Sequence, residues 1–235
     1  MSALNDPALV AREYADERGL AARIAAQERF TGPDPRDVAF AAVAECDPEL
    51  VLEVGPGRGE LAGRMKRELD ARVVAVDQSE RMVELTEAQG VEAIVGDVQD
   101  LPFRDGIFDC VVAAWMLYHV PNLDGAVREL RRVLRPGGRL VAVTNSVRSM
   151  HELWSLVGYV PEYSLGAENG EWALLRHFTI VERRDVRGNV TFPDRESAHQ
   201  YVSASPTKAA GADNLPFFDG PLTCSRHVVV FVCEP

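Results

Sequence analysis

The chain has 235 residues, with 36 acidic against 25 basic side chains, a formal net charge of −11 and 46% hydrophobic residues. Its length suits one α/β domain with added segments and is enough to bury a core. The acidic balance argues against tight sequence-independent nucleic-acid binding, which needs clustered cations to displace counterions from phosphates, and leaves a small-molecule or protein partner.

Residues 7–30 place Leu9, Tyr14, Leu20, Ile24 and Phe30 at helical spacing, and Thr31-Gly32-Pro33 stops the pattern. A second helix is expected from residue 34 or 36 to about 46, so that residues 1–48 form an N-terminal helical cap. The core, residues 49–145, then alternates short apolar runs with helical patterns. Strands are expected at 50–54, 72–76, 91–95, 108–114 and 139–144, and helices at 60–69, 79–88 and 123–134. Apolar strands without polar alternation imply burial on both faces, hence a parallel, helix-covered sheet.

The first strand is the most informative. It ends in Glu53-Val54-Gly55-Pro56-Gly57-Arg58-Gly59 and turns directly into a helix. Gly55 and Gly57 remove Cβ atoms that would hold the backbone away from a ligand, and Gly59 lets the following helix pack closely on the strand. The second strand ends at Asp77, where a ribose diol would lie, and the third at Gly96-Asp97-Val98. A nicotinamide or flavin site would want Gly-x-Gly-x-x-Gly and a second mononucleotide-binding half. Here the spacing is Gly-x-Gly-x-Gly, and no second glycine fingerprint follows.

On these residues, and on Glu129-Leu130-Arg131-Arg132-Val133-Leu134-Arg135-Pro136-Gly137-Gly138-Arg139-Leu140, the chain resembles class I S-adenosylmethionine-dependent methyltransferases. It is similar to their ubiquinone and menaquinone biosynthesis subgroup from about residue 51 to 144 and only diffusely elsewhere. The resemblance implies a Rossmann-like, seven-stranded, mostly parallel sheet with an antiparallel last strand and helices on both faces. It also implies S-adenosylmethionine as cofactor and S-adenosylhomocysteine as product. Glu53, Gly55, Pro56, Gly57 and Gly59 would face the methionine and ribose portions, and Asp77 both ribose hydroxyls. Gln78, Met82, Gly96, Asp97 and Val98 would surround the adenine, with Ala114 and Trp115 closing the cofactor side. Tyr14 and Arg23 in the first helix could close over the methionine carboxylate. Taken singly, Asp77 reads equally as a helix cap before Ser79, Asp97 as a turn residue, Tyr14 as core and Arg23 as a solvated surface residue.

Methyl transfer is an in-line displacement that needs positioning and water exclusion, and a base only when the acceptor must lose a proton. His119 in Trp115-Met116-Leu117-Tyr118-His119 is the candidate base, with Tyr118 beside it; His119 reads equally as a loop anchor. Trp115, Tyr118, His119, His151 and Trp154 are candidate walls of the acceptor pocket, with Tyr159, Tyr163, His177, Phe217 and Phe218 as further aromatic candidates against ordinary packing.

Residues 146–235 are expected to carry substrate-side helices and C-terminal strands. Helices are expected at 150–157 and 169–176, the latter capped by Asn169, and a loop at 158–166. Strand is expected over 178–192 with a kink at Gly188-Asn189, helix over 194–203 and a last strand over 226–233. Residues 204–223 read as either a substrate-side flap or a surface connection too polar for the core.

Cys46, Cys110, Cys224 and Cys233 form no Cys-x-x-Cys pair and have no His at zinc spacing, so no metal site is expected and the thiols are expected to be reduced. No leader, lipidation motif or long apolar run is evident, which points to a cytoplasmic protein without membrane contact, monomeric or homodimeric. The function expected is methyl transfer to oxygen or nitrogen of a small metabolite. The alternatives are a protein or RNA methyltransferase, or a binder of the cofactor that transfers nothing.

Overall fold

A computed structural model describes residues 3–6, 8, 29–204 and 207–235. Among the described residues eight strands form one sheet, β1 (Phe30–Thr31), β2 (Leu50–Val54), β3 (Arg72–Asp77), β4 (Glu92–Val95), β5 (Phe108–Ala114), β6 (Leu134–Asn145), β7 (Ile180–Phe192) and β8 (Leu222–Glu234). Their spatial order is β1-β7-β8-β6-β5-β2-β3-β4. The five strands β2 to β6 run parallel, and β8 runs antiparallel to both β6 and β7. The sheet is thus mostly parallel with an antiparallel strand near one edge, and it has eight strands where seven were expected. The eighth, β1, is a two-residue addition that pairs Phe30 with Val190 and Thr31 with Asn189. It corrects the expectation that Phe30 ends a helix. The remainder of that helix lies outside the described residues.

Period-2 alternation divides each parallel strand between two cores. Leu52 and Val54 face one side with Ala126, Val127, Leu130 and Val133 of α4 (Leu123–Val133). Val51 faces the other, with Ala39, Ala42 and Val43 of α1 (Pro35–Ala44) and Leu61, Ala62 and Met65 of α2 (Glu60–Glu68). The helix of residues 35–44, assigned to the cap from sequence, is thus one of the layers that covers the sheet. Val83 of α3 (Glu80–Ala88) joins the same core. A third core lies where β7 ends and β8 begins. It joins Met150, Leu153 and Trp154 around α5 (His151–Leu156) to Ala198 and Val202 of α7 (Arg195–Ser203) and to Val190, Phe192 and Cys224.

Three local differences from the sequence reading have physical causes. β6 begins at Leu134, five residues early, because Leu134 pairs with Phe108 before a register shift. α6 (Gly170–Leu174) follows Asn169, whose side chain does not cap it and instead accepts the Gly166 amide at 2.7 Å and donates to the Tyr163 and Ser164 carbonyls. Residues 204–223 contain a 3-10 turn, Ala209–Asn214, and β8 starts inside them at Leu222. Ala212 and Leu215 are buried in the third core, so part of this segment is core after all.

Gly57 and Gly59 separate two uses of glycine. Both have positive φ, +59° and +73°. A Cβ on Gly57 would have no atom of the described residues within 4 Å, whereas one on Gly59 would lie 2.8 Å from the Thr86 Cα in α3. Gly59 therefore serves the close approach of α3 to the turn that starts α2, and Gly57 leaves space open to solvent. Gly59→Ala is expected to destabilise the fold by about 2 to 3 kcal/mol through strain plus a backbone clash, and Gly57→Ala by only about 1 kcal/mol. Urea unfolding of the two variants measures the difference.

Candidate functional site

The carboxyl ends of β2 to β6 border a cleft of about 680 Å³. At one end lie Glu53, Gly55, Pro56, Gly57, Asp77, Gln78, Met82, Gly96, Asp97 and Val98, and Ala114 and Trp115 also line it. Gly59 is not among the lining residues, which corrects its assignment to the ligand. Tyr14 and Arg23 lie outside the described residues.

Glu53 shares a strand face with Val51 and so points between the sheet and α2, where it is 2% exposed. The Ala62 amide bonds one side of the carboxyl, while Oε2 is buried without a partner. Burial, with a smaller contribution from the charge of Asp77, pushes its pKa up from 4.5 to about 8 against the pull of that amide. Asp77 is likewise raised by burial, from 3.8 to about 6, although the amides of Ser79, Gly57 and Gln78 favour its charged form. Its Oδ1 accepts from Ser79 N at 2.9 Å. The N-cap of α3 is Ser79 itself, through an Oγ contact with Met82 N at 3.4 Å, so capping does not account for Asp77. Asp97 is exposed and accepts from Gln99, whose amide lies at 2.9 Å from Oδ1 and whose side chain contacts both carboxylate oxygens.

Trp115, directly after β5, has a φ of 55°, a region bulky residues rarely enter. This turn carries its indole to Asn145 at the end of β6, where Nε1 donates to Oδ1 at 3.3 Å. The same Asn145 side chain hydrogen-bonds Tyr163, a half-buried residue whose phenol pKa is held well above the ordinary range by desolvation. Tyr118 packs between His119 at 4.5 Å and Tyr163 at 5.0 Å. His119 Nδ1 lies 2.7 Å from the Leu4 carbonyl. A carbonyl only accepts, so Nδ1 carries the proton and in the neutral ring the lone pair sits on Nε2.

Further along the cleft stand Trp154, Tyr159, Tyr163 and Tyr201. Trp154 packs edge-on to Tyr159 at 5.3 Å and against Tyr201 at 6.0 Å. His151 shares the helix with Trp154 but is exposed, within reach of Ser155, and does not line the cleft. His177 is occupied by Asp124 at 2.8 Å, Phe217 is 86% exposed, and Phe218 packs on the third core. Among the lining residues that escape the sequence reading are Asn145, Tyr201, Lys208 and Arg226. Only Arg226 leaves a trace in the sequence, as a cation at the head of the apolar run Val228-Val229-Val230.

The orphaned Glu53 oxygen, the open space above Gly57 and a buried Asp77 at one end fit a ligand with a cationic amine and a diol, and the aromatic end fits a second molecule. The fold and this cradle are similar to those of class I S-adenosylmethionine-dependent methyltransferases. Residues 52–142 match the family described as methyltransferase domain. Within that span the chain is similar to ubiquinone and menaquinone biosynthesis methyltransferases. Demethylmenaquinone methyltransferase of Thermotoga maritima is 36% identical over 102 residues, 42% of this chain and 44% of that protein. The ubiquinone/menaquinone biosynthesis C-methyltransferase UbiE of Pseudomonas entomophila is 36% identical over 103 residues, 40% of either chain. The chain thus spans less than half the length of these relatives. Phosphoethanolamine N-methyltransferase 2 of Haemonchus contortus, solved with phosphomonomethylethanolamine and S-adenosylhomocysteine, superimposes with a TM-score of 0.65 at 17% identity over 100% of this chain and 61% of that one, a likeness of fold. No described helix is long and apolar enough to cross a membrane.

Glu53 makes unliganded stability depend on pH. The unfolded carboxyl loses its proton near 4.5 and the folded one keeps it to about 8, so between those values the folded state binds more protons. Its stabilising contribution is therefore complete below the lower value and is lost as pH rises to the upper one. Asp77 acts in the same sense but only between 3.8 and about 6. The thermal unfolding temperature of the unliganded protein should thus fall from pH 6 to 8 through Glu53, and Glu53→Gln should flatten the curve in that window and raise it at pH 8. An unchanged slope in the variant would dissociate Glu53 from it.

Proposed function

We propose that the chain transfers a methyl group from S-adenosylmethionine to oxygen or nitrogen of a small-molecule acceptor seated among the aromatic residues of the cleft. The observation that carries this is the buried, unpartnered Glu53 Oε2 beside the open Gly57 turn, in a cleft that continues into the rings of Trp115, Tyr118 and Trp154. Glu53 and the backbone of Gly55, Pro56 and Gly57 hold the methionine portion, and a cationic amine there draws the proton off Glu53. Asp77 accepts from the ribose hydroxyls. Met82, Gln78 and Gly96 flank the adenine, with Asp97 as acceptor and the Val98 amide as donor to its edge. When bound, the cofactor supplies a methyl group on a positively charged sulfonium.

The chain's own part is then to exclude water and position the acceptor. Trp115, Ala114 and Tyr118 wall the point where the two ends of the cleft meet. With Nδ1 committed to the Leu4 carbonyl, His119 offers Nε2 as the atom that takes an acceptor O–H or N–H proton. Tyr118, packed on the imidazole, fixes the ring's plane. The bond to Leu4 serves a loop anchor equally well, and kinetics separates the two roles.

Calorimetry should detect S-adenosylhomocysteine and no nicotinamide dinucleotide, and labelled S-adenosylmethionine with a metabolite extract should yield a labelled small molecule. Binding without any transfer would leave a cofactor-binding protein. Asp77→Ala should weaken S-adenosylhomocysteine by about 1.5 to 3 kcal/mol through lost charge-assisted hydrogen bonds, without loss of fold. An unchanged dissociation constant would remove Asp77 from the site.

His119→Ala should lower turnover about 10²-fold or more, with S-adenosylhomocysteine affinity barely changed. Over pH 6 to 9 the wild-type rate should rise through the pKa of the base and the variant's profile should be flat. A variant with near-wild-type turnover and the same profile would leave His119 as an anchor only.

A further inference from the structure

Arg226 lies on the inward face of β8, between Cys224 and Val228, and is 8% exposed. Its guanidinium stacks over the Phe30 ring at 4.2 Å and lines the cleft. No carboxylate of the described residues forms an ion pair with it. The acid whose charge it feels most is Asp34, but that carboxylate is already committed. Arg36 donates to Asp34 from Nη2 at 2.6 Å and from Nε at 3.0 and 3.1 Å, and the Arg36 amide adds a fourth bond at 2.8 Å. Burial accordingly depresses the Arg226 pKa, and the nearby Arg36 charge adds to the effect. A buried cation without a counterion is costly, and a fold keeps one where a ligand supplies the charge.

A second cation that lines the same cleft is Lys208. Its Nζ sits over Trp154 at 5.4 Å and over Tyr159 at 5.9 Å. A ring of Trp and Tyr faces would by itself suit a ligand ammonium. Here an ammonium of the chain already lies on those faces, and a second would meet like charge from Lys208 and Arg226 together. An anion gains from both.

Resting on the methyl-transfer reading of the same cleft, we propose that the acceptor is an aromatic acid, with Arg226 and Lys208 holding its carboxylate or phosphate while Tyr118, Trp154, Tyr159 and Tyr201 hold its ring. The planar fork of Arg226 matches the two oxygens of either anion, and Lys208 acts as a point charge. This fixes the acceptor by its acidic end, so that the nucleophile at the other end of the ring is directed towards Trp115 and His119.

The test uses the full chain with and without saturating S-adenosylhomocysteine and four probes of similar shape: benzoate, phenyl phosphate, benzamide and benzylamine. Calorimetry should give benzoate or phenyl phosphate at least about tenfold tighter binding than benzamide, the usual size of a charge-assisted pair, and benzylamine the weakest. The better of the two anions names the acidic group. Arg226→Gln should bring the anions down to the level of benzamide, and Lys208→Gln should lower them in part. S-adenosylhomocysteine affinity, unchanged in both variants, reports that they are folded. Equal affinity for benzoate, phenyl phosphate and benzamide, a preference for benzylamine, or anion binding that survives both substitutions overturns the proposal. If wild-type protein fails to bind S-adenosylhomocysteine, the methyl-transfer reading falls by itself, and the anion preference is still read in the unliganded arm.

Discussion

The site depends on one geometric constraint, the common direction of β2 to β6. Parallel strands bring all their carboxyl ends to one edge, and the acids at the glycine-turn end of the cleft lie at or just after such an end. Glu53 is the fourth residue of β2, Asp77 closes β3, Asp97 follows β4, Trp115 follows β5 and Asn145 closes β6. The strand order reverses at β2, which has β3 on one side and β5 on the other. At such a switch point the connections diverge and a crevice opens, so the glycine turn after β2 lies where a ligand can reach the backbone.

Having fixed the edge, the fold places its least stable features along it. Glu53 is a carboxyl buried with one oxygen unsatisfied, and Arg226 is a guanidinium buried without a counterion among the described residues. Trp115 and Met150 are non-glycine residues at φ of 55° and 58°. Each opposes folding, and all four line the same cleft. The cores on the two faces of the sheet are built differently. Their strands are continuous apolar runs such as Cys110, Val111 and Val112 of β5, all fully buried. Other strained or unsatisfied groups, Asp47 at φ 42° and the orphaned Asn5 and Ser164 oxygens, lie elsewhere, but four gathered in one cleft are what binding surfaces look like when ligands complete them.

How much of this was legible in the sequence follows from the range of the interactions. The parallel strands and α2 to α4 show themselves because each is a local pattern: an apolar run, a glycine turn or a helical spacing of apolar residues. The acids Glu53, Asp77 and Asp97 show themselves because they stand at fixed offsets from strand ends. The acceptor end is built otherwise. Tyr201 comes from α7 and Lys208 from the segment after it, Asn145 from β6 and Arg226 from β8, and no periodicity links them. His151 illustrates the same limit. Three residues before Trp154 it shares a helix face in projection, yet α5 is six residues long and starts at a left-handed Met150, so that His151 at its first position remains in solvent. Residues 204–223 look like loop from composition, and it takes the third core to bury Ala212 and Leu215.

The acids Glu53 and Asp77 at the glycine turn and the cations Arg226 and Lys208, which line the cleft together with the Asp34–Arg36 pair, bear on how a reaction there can be directional. Glu53 and Asp77 present carboxyls at the end of the glycine turn, and Arg226 and Lys208 present cations among the tyrosines. A ligand with a cationic amine therefore has one favourable seat, and an anionic one has the other; exchanging them would bring like charges together in a partly buried site, where screening is weak. Discrimination then arises as much from what each end repels as from what it attracts. Between the two ends stand the uncharged walls Trp115, Met116 and Tyr118, together with the one imidazole whose tautomer the Leu4 carbonyl sets. On the proposed reading, the acids at the glycine turn and the cations Arg226 and Lys208 set the order of two ligands before any contact specific to their reacting atoms is made. The reacting atoms are left to meet at the neutral walls, where no fixed charge of the chain competes with the charge that moves between them.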